Sequence, residues 1–79
     1  MAERADPLLI ALGRVIRELR TRQGLSQEEL SLKSGVHRNY IGGVERGERR
    51  PTVTTVARLA VALETRASNV LEAAERELP

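Results

Sequence analysis

The chain has 79 residues, a formal net charge of +2, no cysteine, one histidine and a single aromatic residue. This composition excludes disulfides and thiolate metal sites and offers no plausible acid–base or metal-binding constellation. We therefore expect no enzyme activity, no metal, no cofactor and no small-molecule ligand. No apolar run reaches membrane-spanning length and the N-terminus lacks the regions of a signal peptide, which predicts a cytoplasmic protein without a membrane partner.

The charge is unevenly distributed along the chain. Residues 14–50 carry nine arginine or lysine side chains against five glutamates, a balance of +4, whereas residues 51–79 carry three against four, a balance of −1. The middle of the chain is therefore expected to face a polyanion. The near absence of aromatic residues disfavours proteins that stack the bases of RNA or single-stranded DNA on aromatic platforms.

The first predicted helix begins at Asp6–Pro7, because aspartate caps free backbone N–H groups and proline suits the first helical position. Its end is predicted at Gly24. One apolar stripe at helical spacing consists of Leu8, Leu9, Leu12, Val15, Ile16 and Leu19.

The second and third helices are short. Ser26 and Glu29 form a predicted capping box at the start of the second helix, which ends at Gly35. The third helix follows a tight turn, with His37 in its cap region, and ends at Gly47. The expected inward residues are Leu30, Ile41 and Val44.

Two further helices are predicted in the C-terminal part. Thr52 caps the fourth helix, and Ala67 or Ser68 begins the fifth. The expected inward residues are Val53, Val56, Leu59, Ala60 and Leu63 in the fourth helix and Val70, Leu71 and Ala74 in the fifth. The predicted fold is an all-α, compact five-helix bundle that forms one domain over residues 1–79. Its helix-turn-helix lies at about 26–46 and its C-terminal helices at about 52–78.

The segment 25–47 carries the functional prediction. Two short helices joined by a tight turn can place the N-terminal residues of the second helix against base edges in the major groove of DNA. The matching motif residues are Leu25–Leu30, Ser34–Val36, Tyr40–Ile41, Glu45–Gly47 and Arg50–Thr52. These residues resemble the Cro/C1-type (Xre) helix-turn-helix domain, a lambda-repressor-like fold, from about Leu12 to Leu71. Within that family the chain is most similar to restriction–modification controller proteins.

The resemblance implies roles for individual positions. Arg38 and Asn39 match positions that read bases, and Tyr40 matches one near the sugar-phosphate backbone or a thymine methyl group. Gln27 matches a residue that binds phosphate and also braces the third helix. The other positions that match phosphate contacts are Arg46, Arg49 and Arg50. Arg20 and Glu45 match an internal ion pair between the first and third helices.

Each of these roles has a structural alternative. Arg38 could be an ordinary exposed arginine, Asn39 a local hydrogen-bonding residue near a helix start, and Tyr40 a core residue. We favour the DNA-facing interpretation for all three, whereas for His37 we favour a capping role alone.

The chain departs from the family pattern in three places. Ser31 replaces a small apolar residue, and Glu64 stands where glycine often ends the fourth helix. Gly42–Gly43 places two glycines in the recognition helix, at a cost of about 1 kcal/mol each relative to alanine. Either packing offsets this cost or, as we expect for Gly43, the missing side chain lets the helix backbone approach DNA closely.

The sequence thus predicts a sequence-specific, double-stranded DNA-binding transcriptional regulator. The alternative is a protein-interaction module, such as an antitoxin or adaptor, on the same fold. A core this small is marginal alone, which favours a homodimer on an inverted-repeat operator. The apolar residues expected at the dimer interface are Val61, Ala62, Thr65, Val70 and Ala73.

Overall fold

The computed structural model describes residues 5–79; the N-terminal residues 1–4, part of the segment predicted to lack a signal peptide, lie outside the described range. The described chain folds into five α-helices: α1 (Pro7–Arg22), α2 (Gln27–Ser34), α3 (Arg38–Glu45), α4 (Val53–Ala62) and α5 (Ala67–Arg76). No strand occurs in this range, so the predicted all-α fold is confirmed. None of these helices is long and apolar enough to cross a membrane.

The helix starts follow the predicted capping chemistry. The Asp6 carboxylate accepts hydrogen bonds from the first turn of α1. The Ser26 hydroxyl accepts from the Glu29 N–H at 3.0 Å, and the Ser26 N–H donates to the Glu29 carboxylate at 2.8 Å, which completes the capping box. His37 caps α3 by accepting from the Asn39 N–H at 3.1 Å. Thr52 caps α4 through its hydroxyl, which accepts from the Thr55 N–H at 3.1 Å.

One aliphatic core holds the helices together. Helix α1 packs against α3 and α5, while α4 packs against α2 and α5. The buried apolar side chains are Ala11, Leu12, Val15, Ile16, Leu30, Val36, Ile41, Val44, Val56, Leu59, Ala60, Leu63, Val70 and Ala74. Helices α1 and α4 contribute at least three core residues each, α5 contributes Val70 and Ala74, and α3 is held mainly by Ile41 and Val44.

Two assignments of inward and outward residues were wrong. Val53, expected in the core stripe of α4, is 77% exposed. It is the first residue of the helix and borders an apolar groove without being covered. Val70, expected at the dimer interface, is only 1% exposed. It shares the inward face of α5 with Ala74 and presents no surface to a second chain.

Gly13 allows α1 and α3 to approach closely. A Cβ atom at this position would clash with the Val44 carbonyl oxygen and lie 2.7 Å from the Glu45 carbonyl oxygen. The glycine therefore determines how closely the C-terminal end of α3 sits against α1, and with it the position of the helix that carries the predicted base-reading residues.

Candidate functional site

The α2–turn–α3 unit presents a shallow depression of about 510 Å³ between the start of α2 and the outer side of α3. Gly35 ends α2 in the left-handed conformation, with φ 75°, and this turns the chain into α3. The depression is lined by Ser26, Gln27, Glu28, Arg38, Asn39, Gly42, Arg46 and Arg49. Five of the predicted DNA-binding residues thus converge on one surface; Tyr40, Gly43 and Arg50 lie outside its lining.

A partly buried polar cluster braces this surface from behind. Arg20 donates to the two carboxylate oxygens of Glu45 at 2.6 and 2.9 Å, and the side chains are only 11% and 4% exposed. The Glu45 carboxylate also accepts from the Gln27 amide at 3.0 Å. The predicted ion pair is therefore confirmed, and so is the contact by which Gln27 braces α3. The phosphate-binding role of Gln27 stays a prediction.

The electrostatics of this cluster favour its charged form. Hydrogen bonding to Glu45 raises the pKa of the Arg20 guanidinium above its already high ordinary value. A third donor of Arg20 bonds the Leu25 carbonyl at 2.8 Å. One arginine thus joins α1, the loop before α2 and the end of α3. These hydrogen bonds hold the helix-turn-helix against α1.

Three exposed arginines in or near the depression are paired with carboxylates. Arg38 contacts Glu28 at 2.9 Å, and Arg46 contacts Glu48 at 3.0 Å. Arg50 lies farther from its partner Asp6, at 3.8 Å. Exposed pairs of this kind contribute under about 1 kcal/mol, so a phosphate or a base edge can displace the carboxylate. No sequence pattern indicates the Arg38–Glu28 contact, because the partners lie ten positions apart on different helices.

Asn39 lies beside Arg38 at the exposed start of α3. Its backbone N–H is used by the His37 cap, while its side-chain amide forms no hydrogen bond with any other residue of the described range. The side chain is therefore available to an external partner, and base reading by Asn39 stays a prediction.

The glycine pair in α3 faces this protein's own side chains. Gly42 and Gly43 are both buried. A Cβ on Gly43 would lie 2.6 Å from Arg49 Cγ, and one on Gly42 would lie 3.1 Å from Arg46 Nη1. The Arg49 side chain lies over Gly43 in this structure, and the close approach of the α3 backbone to DNA at Gly43 stays a prediction.

Tyr40 lies at the boundary between the core and the surface. Its ring is partly buried and packs against the aliphatic core. The Arg49 guanidinium carbon lies 5.7 Å from the ring centroid, on the outer side. A DNA contact by Tyr40 stays a prediction.

Comparison with known proteins places the chain in a family. A helix-turn-helix family model matches residues 16–68. The Serratia marcescens control protein C.SmaI is 48% identical over 56 residues, which cover 71% of this chain and 67% of that protein. The crystal structure of the restriction–modification controller protein C.AhdI from Aeromonas hydrophila is 45% identical with a TM-score of 0.76, covering 78% of this chain and 94% of that one.

A third relative was solved together with DNA. The controller protein C.Esp1396I, a tetramer in complex with its natural 35 base-pair operator, is 33% identical with a TM-score of 0.79 over 89% of this chain and 92% of that one. The extent of these matches and the braced α2–turn–α3 unit lead to one conclusion. The chain belongs to the helix-turn-helix family of Cro/C1 type, with restriction–modification controller proteins among its relatives.

Proposed function

We propose that this protein is a sequence-specific, double-stranded DNA-binding transcriptional regulator of the restriction–modification controller type. The observation that carries the proposal is the convergence of Arg38, Asn39 and Arg46 on one surface of a braced helix-turn-helix. That constellation combines basic groups for phosphates with polar groups for base edges, which DNA recognition requires. Membership of a family with operator-binding relatives supports the same function.

The residues would divide the work between affinity and specificity. Arg46, Arg49, Arg50 and the N-terminus of α2 at Gln27 supply contacts to phosphates, which position the protein without reading sequence. Arg38 suits bidentate hydrogen bonding to guanine O6 and N7. Asn39 suits the N6 and N7 atoms of adenine.

Arg38→Ala and Arg50→Ala test this division on a duplex selected from a random pool. Arg38→Ala is expected to cost about 1–3 kcal/mol of binding free energy and to relax the preference at one base pair. Arg50→Ala is expected to weaken all duplexes alike and to flatten the dependence of log affinity on log salt by about 0.9. Affinities are measured by fluorescence anisotropy at several salt concentrations, with Arg76→Ala in α5 as the control for lost charge.

Three results would count against the proposal. The first is that no duplex is enriched from the pool, and the second is that salt does not change the affinity. The third is that Arg38→Ala lowers the affinity equally on selected and random DNA. The last result alone would remove Arg38 as a base reader while leaving DNA binding intact.

The alternative, a protein-interaction module, makes a different prediction. Its exposed arginines would only be solvated, so no duplex would be selected and a protein partner would be needed for any effect on transcription. We include the absence of enzyme activity in the proposal, because the relatives are regulatory proteins. A protein that binds genomic DNA works in the compartment that holds it, so the cytoplasmic location also forms part of the proposal.

We further propose that the working unit is a homodimer joined through the C-terminal helices. Val61 is 73% exposed in α4, and Thr65 and Ala73 are partly accessible nearby in the chain. An interface at this less basic end would leave both copies of α3 free. Two-fold symmetry then calls for an inverted-repeat operator.

A further inference from the structure

We propose that Gly43 and Tyr40 are positioning residues that hold Arg49 as a preset phosphate-binding arm of the DNA interface. The inference rests on the proposed DNA-binding function and names residues that act through Arg49. It arises from the way the Arg49 side chain lies across the outer face of α3.

Gly43 provides the place where the Arg49 side chain lies. A Cβ atom at this position would be 2.6 Å from Arg49 Cγ, 3.1 Å from Nε and 3.4 Å from Cδ. The middle of the arginine side chain, and not only its mobile end, therefore occupies the space that any other residue would fill. Glycine weakens a helix relative to alanine, and the room it makes for Arg49 accounts for its presence in α3.

Tyr40 holds the far end of the same side chain. The Arg49 guanidinium carbon lies 5.7 Å from the Tyr40 ring centroid, within the range of a cation–π contact. The ring is itself fixed, because it packs against the core. Tyr40 and Gly43 are three positions apart in α3, which places them on neighbouring points of one helix face.

The charge of Arg49 remains available to a ligand. Arg38 and Arg46, which line the same depression, each form an ion pair with a carboxylate. Within residues 5–79, Arg49 forms no ion pair. A guanidinium that is already ordered and has no carboxylate to displace loses less entropy and fewer contacts when it binds an anion.

The position of Arg49 in the chain favours phosphate over a base edge. A helix-turn-helix directs the N-terminal residues of its second helix at the bases. Arg49 follows the C-terminal end of α3, beyond Gly47, and so belongs with the residues that contact the DNA backbone.

Gly43→Ala tests the inference because it is expected to weaken DNA binding without lowering the stability of the fold. Alanine favours the helix, so the melting temperature should not fall. The affinity for the selected duplex should fall roughly three- to tenfold, the effect of releasing one long ordered side chain. The loss should be similar on random duplex DNA, and the slope of log affinity against log salt should flatten.

Two controls separate positioning from general damage. Arg76→Ala removes an exposed arginine of α5, outside the lining of the depression, and should bind nearly as the parent does. Gly43→Ala combined with Arg49→Ala should bind no worse than Arg49→Ala alone. In the NMR spectrum, the upfield ring-current shift of the Arg49 side-chain protons should be lost in both Gly43→Ala and Tyr40→Leu.

The inference would be overturned if the Gly43→Ala protein bound the duplex as tightly as the parent. It would also be overturned if the double variant bound more weakly than Arg49→Ala alone. A loss confined to the selected duplex would do so too, because it would assign Arg49 to a base. If the parent protein itself bound no duplex, the proposed function would fail instead, while the ring-current shift would still show whether Gly43 and Tyr40 hold Arg49.

Discussion

At the scale of single residues, Gly13 controls a contact between helix backbones. Gly13→Ala would gain about 1 kcal/mol of intrinsic helix propensity, but its Cβ would overlap the carbonyl oxygens of Val44 and Glu45. Backbone carbonyls cannot move aside as a flexible side chain can. We expect a net destabilisation of about 1–3 kcal/mol, the usual cost of overpacking, in urea unfolding followed by circular dichroism.

Gly42→Ala is the matched control for this prediction, since it changes a buried helical glycine whose neighbours are side-chain ends. Its stability should equal or exceed that of the parent. A Gly13→Ala protein as stable as Gly42→Ala would mean that α1 and α3 can separate without cost.

The Arg20–Glu45 pair is a second contact on which the position of α3 depends. Glu45→Gln leaves the nearly buried Arg20 without its counter-charge, and breaking a buried pair costs about 3–5 kcal/mol. Glu72→Gln in α5 breaks an exposed pair with Arg76 and should cost under about 1 kcal/mol. Differential scanning calorimetry compares the two; a Glu45→Gln protein that melts within about one degree of the parent would contradict the prediction.

At the scale of helices, the caps show how short sequence patterns determine element boundaries. Four of the five helices begin at a residue whose side chain accepts a backbone hydrogen bond, and only α5 lacks one. The end of α4 departs from the usual pattern, because Glu64 has φ 61°, a conformation that favours glycine. The structure thus explains why glycine is common at this position.

The capping box of α2 predicts a defined response to acid. Hydrogen bonds from the Ser26 backbone and side chain lower the pKa of the Glu29 carboxyl below its ordinary value near 4.5. A lowered folded pKa stabilises the fold above about pH 4.5, and this contribution is lost as the pH falls through the folded pKa. Glu29→Gln should therefore be less stable than the parent at neutral pH, and the difference should shrink in acid.

Urea unfolding at a series of pH values measures this difference. Glu72→Gln, which removes a carboxylate that takes no part in a cap, serves as the reference for lost charge. A stability difference between the parent and Glu29→Gln that stayed constant down to the acid transition would show that the ionised carboxylate is not what stabilises the start of α2.

At the scale of the whole molecule, two strongly exposed valines define candidate association surfaces on α4. Val61 and Val53 are 73% and 77% exposed. Val53 borders an apolar groove between α1 and α5, lined also by Leu8 and Leu71. Val61 lies next to Lys33 and Arg58 instead. The sequence identified only the surface at Val61, because Val53 was assigned to the core.

We expect the chain to sediment as a dimer of twice 8.7 kDa at micromolar concentrations. Val61→Glu should convert it to monomers and weaken operator binding, because a buried carboxylate at the interface is costly. Two-fold symmetry predicts half-sites centred about 34–36 Å apart. Analytical ultracentrifugation and the stoichiometry on the selected duplex are the measurements.

Val53→Glu is the matched control, with the same change at an equally exposed valine of the same helix. If Val53→Glu produced monomers and Val61→Glu did not, the interface would lie at the α1–α4–α5 groove. A parent protein that sedimented only at 8.7 kDa and bound as one subunit per site would contradict dimerisation altogether.

The sequence by itself determined the five helices, their caps, the family and most residues of the candidate site. Helix starts, apolar periodicity and motif spacing depend on neighbours a few positions away, so they can be read along the chain. The sequence could not distinguish Val70 in the core from Val61 on the surface, since both are valines at helical spacing. Only the packing of a second helix decides which apolar stripe is covered.

The tertiary structure also decided what the glycines do. Gly13 faces the end of α3. Gly43 lies under the side chain of Arg49, a residue that follows it by six positions and lies beyond the end of α3. The sequence shows that a side chain is missing at each position, but not which atoms fill the space. That depends on how α1, α3 and the following loop meet in three dimensions, because a contact between distant residues is set by the packing of whole elements and not by local propensity.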